Sequence, residues 1–233
     1  REYALLGARL AASSTNLYKK SLVTIPHTLK ETGPEKTINQ KIVIGIPGGI
    51  DGVRRDLDFA LDVIEDVNRK SDRFQFVFIG KVMGHLGEKI FERIESLQKS
   101  GLDIQYFYDE KSNSVFDEQM KRSDIIFLPL NVNTKYEGIG EVYGTTKVTG
   151  VIYDMMRFSK PGIAPAEMQI PPTMKESIIS YHNKPDLIEK LLLMAEDNNK
   201  LSNRKKKAGT ESLYYTVEEI KKRVLPRFES MIR

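Results

Sequence analysis

Apolar and polar positions divide the chain from Lys41 onward into two alternating kinds of segment. Six short runs are apolar throughout and rich in valine, isoleucine and phenylalanine: KIVIGI, FQFVFIG, DIQYFY, DIIFLPL, PGIAP and SIISY. Continuous rather than alternating apolarity is typical of strands that are buried on both faces of a parallel sheet. The pattern therefore predicts an α/β fold whose parallel sheet has about six strands.

The segments between these runs carry apolar residues at helical spacing, which predicts helices that pack on the sheet. Leu57, Leu61 and Ile64 define the first helix, and Ile90 and Ile94 define the second. The same spacing predicts a short helix over VFDEQM, one over DLIEKLLLMAED and a last one over TVEEIKKRVLPRFESMI. Strands that alternate with helices form right-handed βαβ units, so the predicted class is doubly wound and Rossmann-like, with ligands at the carboxyl ends of the strands.

The two flanks of this α/β region differ from it in pattern. Residues 1–40 read as a strand, a helix and a second strand followed by a polar linker, and we interpret them as the remnant of a preceding domain. Residues 41–200 form the Rossmann-like ligand-binding domain, and residues 201–233 a basic loop and a C-terminal helix. Because the first residue is arginine, we expect the chain to begin inside a longer protein.

Composition excludes several classes of function. With 40% apolar and 29% charged residues, the 233-residue chain is an ordinary globular sequence. It has no apolar run near the roughly 18 residues of a membrane span and no signal peptide, so we expect a cytoplasmic protein. Without cysteine, and with three scattered histidines, it has no disulfide framework, thiolate nucleophile or metal-ligand spacing. We therefore expect no metal cofactor.

The net charge of +4 favours an anionic partner. The densest basic run, NRKKK, has no interleaved aromatic residues on which bases could stack. A solvated loop is therefore favoured over a nucleic-acid or anionic-lipid contact. We expect no nucleic-acid partner, and contact with a membrane surface stays open.

The first strand ends in GIPGGIDGVRRD, a glycine turn that invites comparison with phosphate-binding motifs. Gly48 and Gly49 do not fit G-x-G-x-x-G, and the second strand ends in Gly80 and a lysine where a ribose-binding acid is required. The turn also lacks the Gly-Lys-Ser/Thr ending of a nucleoside triphosphate loop. Two interpretations stay open: Arg54 and Arg55 hold an anion near a helix start, or the turn is tight and both arginines are solvated.

A stronger candidate follows the fourth strand, where a long polar loop leads into YGTTKVTGVIYDMMRFSKPGI. A loop of this length in a compact domain is usually functional or disordered. Gly144 lets the backbone approach a ligand, while Thr145, Thr146 and Thr149 supply caps and hydroxyl donors. Lys147 adds a cation at the start of the next helix, so the turn predicts a diphosphate site at a helix terminus.

Asp154 lies two turns beyond Lys147 along the predicted helix. A carboxylate at this place can accept both hydroxyls of a ribose. The alternative is an ordinary amphipathic helix in which the acid pairs with Arg157 or Lys160.

From about residue 41 to residue 233 the chain resembles the C-terminal, donor-binding domain of GT-B fold glycosyltransferases, particularly the large retaining family (group 1, or family 4, type) that uses nucleotide sugars. The residues that carry the resemblance are the glycine turn before RRDLDFAL, Gly80 at the end of FVFIG, and the strand SDIIFLPL. The spacing of seven residues from Asp154 to Pro161 matches the helix in which the family carries a glutamate. The tail, with its YYTVEEI helix start, is also similar.

Two departures from the family pattern affect the site. The first of the family's two glutamates falls on Thr146, and the second is shortened to Asp154. The family often places an arginine just after its first strand. The corresponding position here lies near Ile50, where this chain has no arginine. We expect Lys147, Arg54 or Arg55 to take over the missing charges, and either Glu137 or Glu141 to replace the missing glutamate.

The resemblance implies transfer of a hexosyl-type sugar from a nucleoside diphosphate sugar, without a metal, to an unknown saccharide or lipid-linked acceptor. It also implies an N-terminal acceptor domain of the same enzyme as a partner, without which this chain is inactive. The implied catalytic residues are Lys147, Arg55 and Glu141. The implied donor-binding residues are Gly48, Gly49, Arg54, Arg55, Gly80, Tyr143, Gly144, Thr145, Thr146, Lys147 and Asp154. The alternatives are a non-catalytic nucleotide-sugar-binding module and a GT-B fold epimerase.

Overall fold

The structure is a computed structural model, which describes residues 29–31, 41–107, 112–136 and 138–232. The interpretation of residues 1–40 therefore falls outside the described residues, apart from 29–31. So does Glu137, one of the two carboxylates proposed to replace the family's first glutamate.

Eight strands are present in this part of the chain, and six of them form one parallel sheet. In chain order the strands are β1 (Ile42–Pro47), β2 (Phe74–Ile79), β3 (Ile104–Tyr106), β4 (Ile125–Phe127), β5 (Asn133–Tyr136), β6 (Ile139–Val142), β7 (Gly162–Pro165) and β8 (Ile178–Tyr181). The sheet order is β3-β2-β1-β4-β7-β8, and every pairing in it is parallel. After β1, the chain adds β2 and β3 on one side of β1 and then adds β4, β7 and β8 on the other side. The crevice between β1 and β4 is the topological switch point, where doubly wound folds bind ligands.

Seven helices surround the sheet in the described ranges. They are α1 (Leu57–Asn68), α2 (Gly84–Lys99), α3 (Asn113–Arg122), α4 (Gly150–Phe158), α5 (Lys184–Glu196), α6 (Asn198–Ser212) and α7 (Val217–Ile232). Side chains that precede helices cap their first turns: Asp56 accepts from the Phe59 amide, and Asn183 accepts from the Asp186 amide. These caps satisfy backbone donors that a helix start leaves without partners.

The sheet separates two hydrophobic cores. Side chains of α1, α2 and α5 pack on one face, around Phe74, Phe76 and Phe78 of β2. Side chains of α3 and α4 pack on the other face, together with Val43 of β1 and Tyr215. Burial on both faces explains why the strand sequences are apolar throughout. The predicted class, the six parallel strands and the predicted helices are confirmed.

Two predictions about the connections are wrong. The polar loop after β4 contains an antiparallel hairpin, β5–β6, which turns at Gly138 with a positive φ of 83°. The basic segment after residue 200 is helical rather than a loop. Its cations are used within the chain: Arg204 donates to the Glu176 carbonyl at 2.6 Å and Lys205 donates to Asp124 at 2.5 Å. These long-range contacts hold the segment against the domain as helix α6.

The last helix, α7, packs against the 3₁₀ turn Leu213–Tyr215 and leaves apolar side chains exposed. Val217 is 41% exposed and Leu225 is 51% exposed. Ile220 and Val224 are half-buried. The apolar side chains of α7 are therefore not fully packed by the described part of the chain.

Candidate functional site

Arg55 lies at the switch point between β1 and β4. Its backbone pairs with Leu130, which follows β4, and its guanidinium Nη1 donates to the Gly49 carbonyl at 3.1 Å. The guanidinium lies directly against Gly48, where a Cβ atom would overlap it. Glycine is therefore required at position 48, which also has a positive φ of 107°.

The guanidinium of Arg55 is a half-buried cation without a carboxylate partner among the described residues. Burial lowers its pKa from the usual range, and the charge of nearby Asp51 opposes this effect. Arginine stays protonated in proteins, so the positive charge persists at neutral pH. A desolvated charge without a counter-ion is costly, and most of the donors of Arg55 are still available. The arrangement therefore favours the binding of an anion in the crevice.

Arg54 points elsewhere, because its side chain is bound by Asp51. The Nε and Nη2 atoms of Arg54 lie 2.9 Å and 2.6 Å from Oδ2 of Asp51, which also accepts from the Val53 and Arg54 amides through Oδ1. Burial of Asp51 opposes its ionisation, but these hydrogen bonds outweigh it and hold its pKa below the ordinary value. Asp51 thus orders the glycine turn and separates the roles of the two arginines. Sequence reasoning missed it, although Asp-Gly is a turn signature.

Gly80 has a packing role between the turns that follow β1 and β2. A Cβ atom at Gly80 would overlap the carbonyl oxygen of Gly48. The Ile50 amide donates to the Lys81 carbonyl at 2.9 Å, which holds the two turns together. Gly49 is covered in turn by the side chain of Met83. Both predicted glycine segments therefore lie at the carboxyl edge of the sheet, and Gly80 is needed for their close approach.

The turn Tyr143–Lys147 is built differently from the prediction. The Gly144 amide donates to the Lys147 carbonyl at 2.7 Å, and the amides of residues 145–147 point to the Val142 carbonyl at 2.9 to 3.1 Å. Helix α4 begins only at Gly150, where Thr149 is the capping residue and accepts from the Val151 amide. The prediction that the turn offers backbone amides at a helix start is therefore wrong. The turn can therefore contribute its side chains to a ligand site, but not these backbone amides.

Tyr143 connects this turn to the arginine site. Its side chain is only 5% exposed, and its amide donates to the Val132 carbonyl at 2.9 Å. Val132 lies two residues after Leu130, the backbone partner of Arg55. Lys147 pairs with Tyr143 through the backbone and is half-buried. The loops after β1, β2 and β4 thus meet at one edge of the sheet, as predicted.

Glu141 and Thr146 form a pair on the side of the hairpin. The Thr146 hydroxyl donates to the Glu141 carboxylate and accepts from the Val142 amide at 2.9 Å. Thr146 is the position on which the family's first glutamate falls. The carboxylate of Glu141 is therefore held next to that position from the neighbouring strand β6.

Asp154 lies in the middle of α4, and its carboxylate is half-buried. Burial raises its pKa to about 6, with a smaller contribution from Asp117, while Arg157 opposes the rise. No described residue donates a hydrogen bond to this carboxylate. Arg157 instead binds Asp117 and Glu31, and Lys160 donates to the Lys121 carbonyl at 2.7 Å. The alternative in which Asp154 pairs with Arg157 or Lys160 is therefore not observed.

The described residues hold no group of three or more histidine, aspartate or glutamate side chains arranged to bind a metal ion. None of the described helices combines the length and the apolar character that crossing a bilayer requires.

No protein-family model matches the sequence, and no curated protein matches it either. Solved structures do match the fold. A variant of TarM from S. aureus, in complex with fondaparinux, alpha-GlcNAc-glycerol and UDP, has a TM-score of 0.61 and 18% identity over 91% of this chain and 41% of its own. The C-terminal domain of LpcC, a group 1 glycosyltransferase from Francisella tularensis, has a TM-score of 0.56 and 17% identity over 77% of this chain and 89% of its own.

HepE from Anabaena, in complex with UDP and glucose, has a TM-score of 0.56 and 13% identity over 82% of this chain and 49% of its own. These likenesses show that the chain has the Rossmann-like fold found in these GT-B structures, which confirms the resemblance at the level of the fold. The chain spans 38% to 41% of the length of TarM.

Proposed function

We propose that this chain is the donor-binding half of a glycosyltransferase that transfers a hexosyl-type sugar from a nucleoside diphosphate sugar. The observation that carries the proposal is Arg55, a half-buried cation at the switch point with no carboxylate partner among the described residues. A diphosphate supplies the missing negative charge, and a guanidinium matches phosphate oxygens with two parallel hydrogen bonds. The UDP in the TarM and HepE complexes supports this choice of ligand class.

In this proposal the cations act on the leaving group. Arg55 binds the diphosphate, and Lys147 approaches it from the turn after the hairpin. As the bond between sugar and phosphate breaks, negative charge develops on the departing diphosphate, and fixed cations in a water-poor crevice stabilise that charge strongly. Arginine and lysine can therefore serve in place of a metal.

Asp154 and Glu141 contact the uncharged parts of the donor in this proposal, the ribose and the sugar. Asp154 accepts hydrogen bonds from the ribose hydroxyls, because its carboxylate has no partner within the described chain. Glu141, held by Thr146, faces the sugar from the hairpin and takes the place of the glutamate that the family carries at position 146.

Transfer also requires an acceptor, for which we propose a saccharide or a lipid-linked saccharide. In the proposal a second, N-terminal domain binds it, and the described residues alone are inactive in transfer. The exposed apolar residues Val217 and Leu225 of α7 suit contact with such a domain. We place the enzyme in the cytoplasm, where nucleotide sugars are made available, with the membrane periphery as an option for a lipid-linked acceptor.

A non-catalytic nucleotide-sugar-binding module is the second candidate. It is favoured by the threonine at position 146, whose hydroxyl is already bound to Glu141. Both candidates bind the donor, and only the enzyme releases a nucleoside diphosphate from it in the presence of acceptor.

A panel of nucleoside diphosphates in a thermal-unfolding assay tests donor binding directly. A ligand at 100 times its dissociation constant stabilises the folded protein by about 2.7 kcal/mol. We expect at least one diphosphate to stabilise the protein, and we expect Arg55→Gln to weaken its binding by about 1.5 to 3 kcal/mol.

Arg69→Gln is the matched control. It removes the same charge from the opposite end of α1, where Arg69 pairs with Glu65, and we expect it to leave binding unchanged. Equal losses in both variants would show that only overall charge matters, and no stabilisation by any diphosphate would refute the proposal.

A further inference from the structure

Four charged side chains form a network on the outer side of α3 and α4. Arg157 of α4 donates from Nε to Glu31 at 2.8 Å, and its Nη2 also contacts that carboxylate. The same guanidinium binds Asp117 of α3, with Nη1 at 3.0 Å and Nη2 at 2.6 Å. Lys121 completes the network, 3.0 Å from the other carboxylate oxygen of Glu31.

The backbone fixes Glu31 at this place. Its amide donates to the Arg157 carbonyl at 2.8 Å, and the amide of Lys30 donates to the Tyr215 carbonyl at 3.0 Å. The short segment 29–31 is thus attached to the end of α4 and to the turn before α7. Glu31 is 126 residues from Arg157 in sequence, so no local pattern could have indicated the contact.

The network keeps the guanidinium of Arg157 from forming an ion pair with Asp154. Residues three apart on a helix are neighbours on one face, so Arg157 is the natural ion-pair partner of Asp154. Instead, two other carboxylates hold its guanidinium from both sides. Asp154 accepts no hydrogen bond from the described residues, and burial raises its pKa, with a smaller rise from Asp117, although the charge of Arg157 still opposes the rise.

We propose that Glu31 is a positioning residue that keeps Asp154 free of an ion pair by holding Arg157 against Asp117. A carboxylate in this state keeps its acceptor sites for a ligand hydroxyl, whereas an ion-paired one must first release its cation. The ligand part of this inference rests on the proposed function. The positioning of Arg157 can be tested without any ligand.

The test is a carbon-13 NMR titration of the Asp154 carboxyl group in the full chain. In Glu31→Ala the freed guanidinium swings to Asp154, and we expect the pKa of Asp154 to fall by at least about one unit, because a close cation favours the charged form. Glu31→Gln keeps an oxygen acceptor for Arg157 and is expected to retain the native pKa. Lys121→Gln is the control, since it leaves both partners of Arg157 in place.

An unchanged pKa of Asp154 in Glu31→Ala, with Arg157 still bound to Asp117, would overturn the inference. If Glu31→Ala does not fold, the double variant Glu31→Gln/Asp117→Asn is compared with Asp117→Asn alone, because Asp117→Asn by itself already removes a charge that raises the pKa of Asp154. A further fall in the pKa of Asp154 is expected in the double variant, and equal pKa values in the two variants would again overturn the inference.

Titration with UDP separates this inference from the proposed function. A fall of one pKa unit corresponds to about a tenfold preference for the ion pair, so UDP should bind about tenfold more weakly to Glu31→Ala. If the pKa falls but UDP affinity does not, the positioning by Glu31 stands and the proposed contact of Asp154 with ribose is refuted.

Discussion

Replacement of Asp154 by asparagine should stabilise the free protein at neutral pH. The pKa of Asp154 is raised to about 6 from 3.8 because the carboxylate is buried without a partner. The folded state therefore favours the neutral acid, and the folded protein loses stability as pH rises from about 4 to above 6, where the charge forms. Asparagine has a similar shape and carries no charge at any pH, so Asp154→Asn avoids this loss.

The magnitude follows from the pKa. The rise from 3.8 to about 6 is roughly two units, and each unit corresponds to about 1.36 kcal/mol. The upper limit is therefore about 3 kcal/mol at pH 7. Because the side chain is half-buried and water reaches part of it, we expect a gain of about 1 to 3 kcal/mol in the free energy of unfolding.

Urea denaturation at pH 4, 5, 6 and 7 measures this gain, since the free energy of unfolding extrapolates linearly to zero denaturant. The difference between Asp154→Asn and the unmodified protein should be smallest at pH 4 and largest at pH 7. Other carboxylates titrate in both proteins and cancel. Glu118→Gln, an exposed position on the neighbouring helix α3, should stay within about 0.5 kcal/mol throughout. A loss of stability in Asp154→Asn that is equal at every pH would refute the reasoning.

Three further substitutions test the loops of the site. Gly80→Ala places a Cβ atom against the Gly48 carbonyl; it should destabilise the protein by about 1 to 3 kcal/mol in urea denaturation and weaken diphosphate binding as well. Lys147→Ala should weaken diphosphate binding by about 1.5 to 3 kcal/mol in titration calorimetry. The loss should be larger at low salt, and a loss independent of salt would exclude a direct charge contact. Thr146→Val releases the Glu141 carboxylate; sugar transfer by the complete enzyme should fall while diphosphate affinity stays unchanged, and full retention of transfer would exclude Glu141 from the reaction.

The strands in the middle of the sheet were predictable because their burial is uniform. Strands β1, β4 and β7 are buried at every residue, so their apolar runs were visible without knowledge of their neighbours. The hairpin β5–β6 was missed because its strands have four residues each and expose much of their surface. Helix α6 was missed because its basic side chains are held by Asp124 and Glu176, which are distant in sequence.

The site was predictable in position but not in detail. Gly48, Gly80 and the turn after the hairpin could be assigned to one edge because each follows a parallel strand. The choice between Arg54 and Arg55 depended on Asp51, whose side chain folds back on its own turn. The state of Asp154 depended on Arg157 and its distant partners, which no local spacing reveals.

Titration calorimetry of the unmodified protein and Asp154→Asn, with UDP and with its 2′,3′-dideoxy analogue, tests the central claim that this edge of the sheet binds a nucleoside diphosphate through Arg55 and its ribose through Asp154. The account predicts that the unmodified protein binds UDP more tightly than the dideoxy analogue. In Asp154→Asn this preference should disappear, while the affinity for the analogue is retained. Equal affinities of the unmodified protein for the two ligands would contradict the account, and so would the absence of binding by every nucleoside diphosphate of the panel.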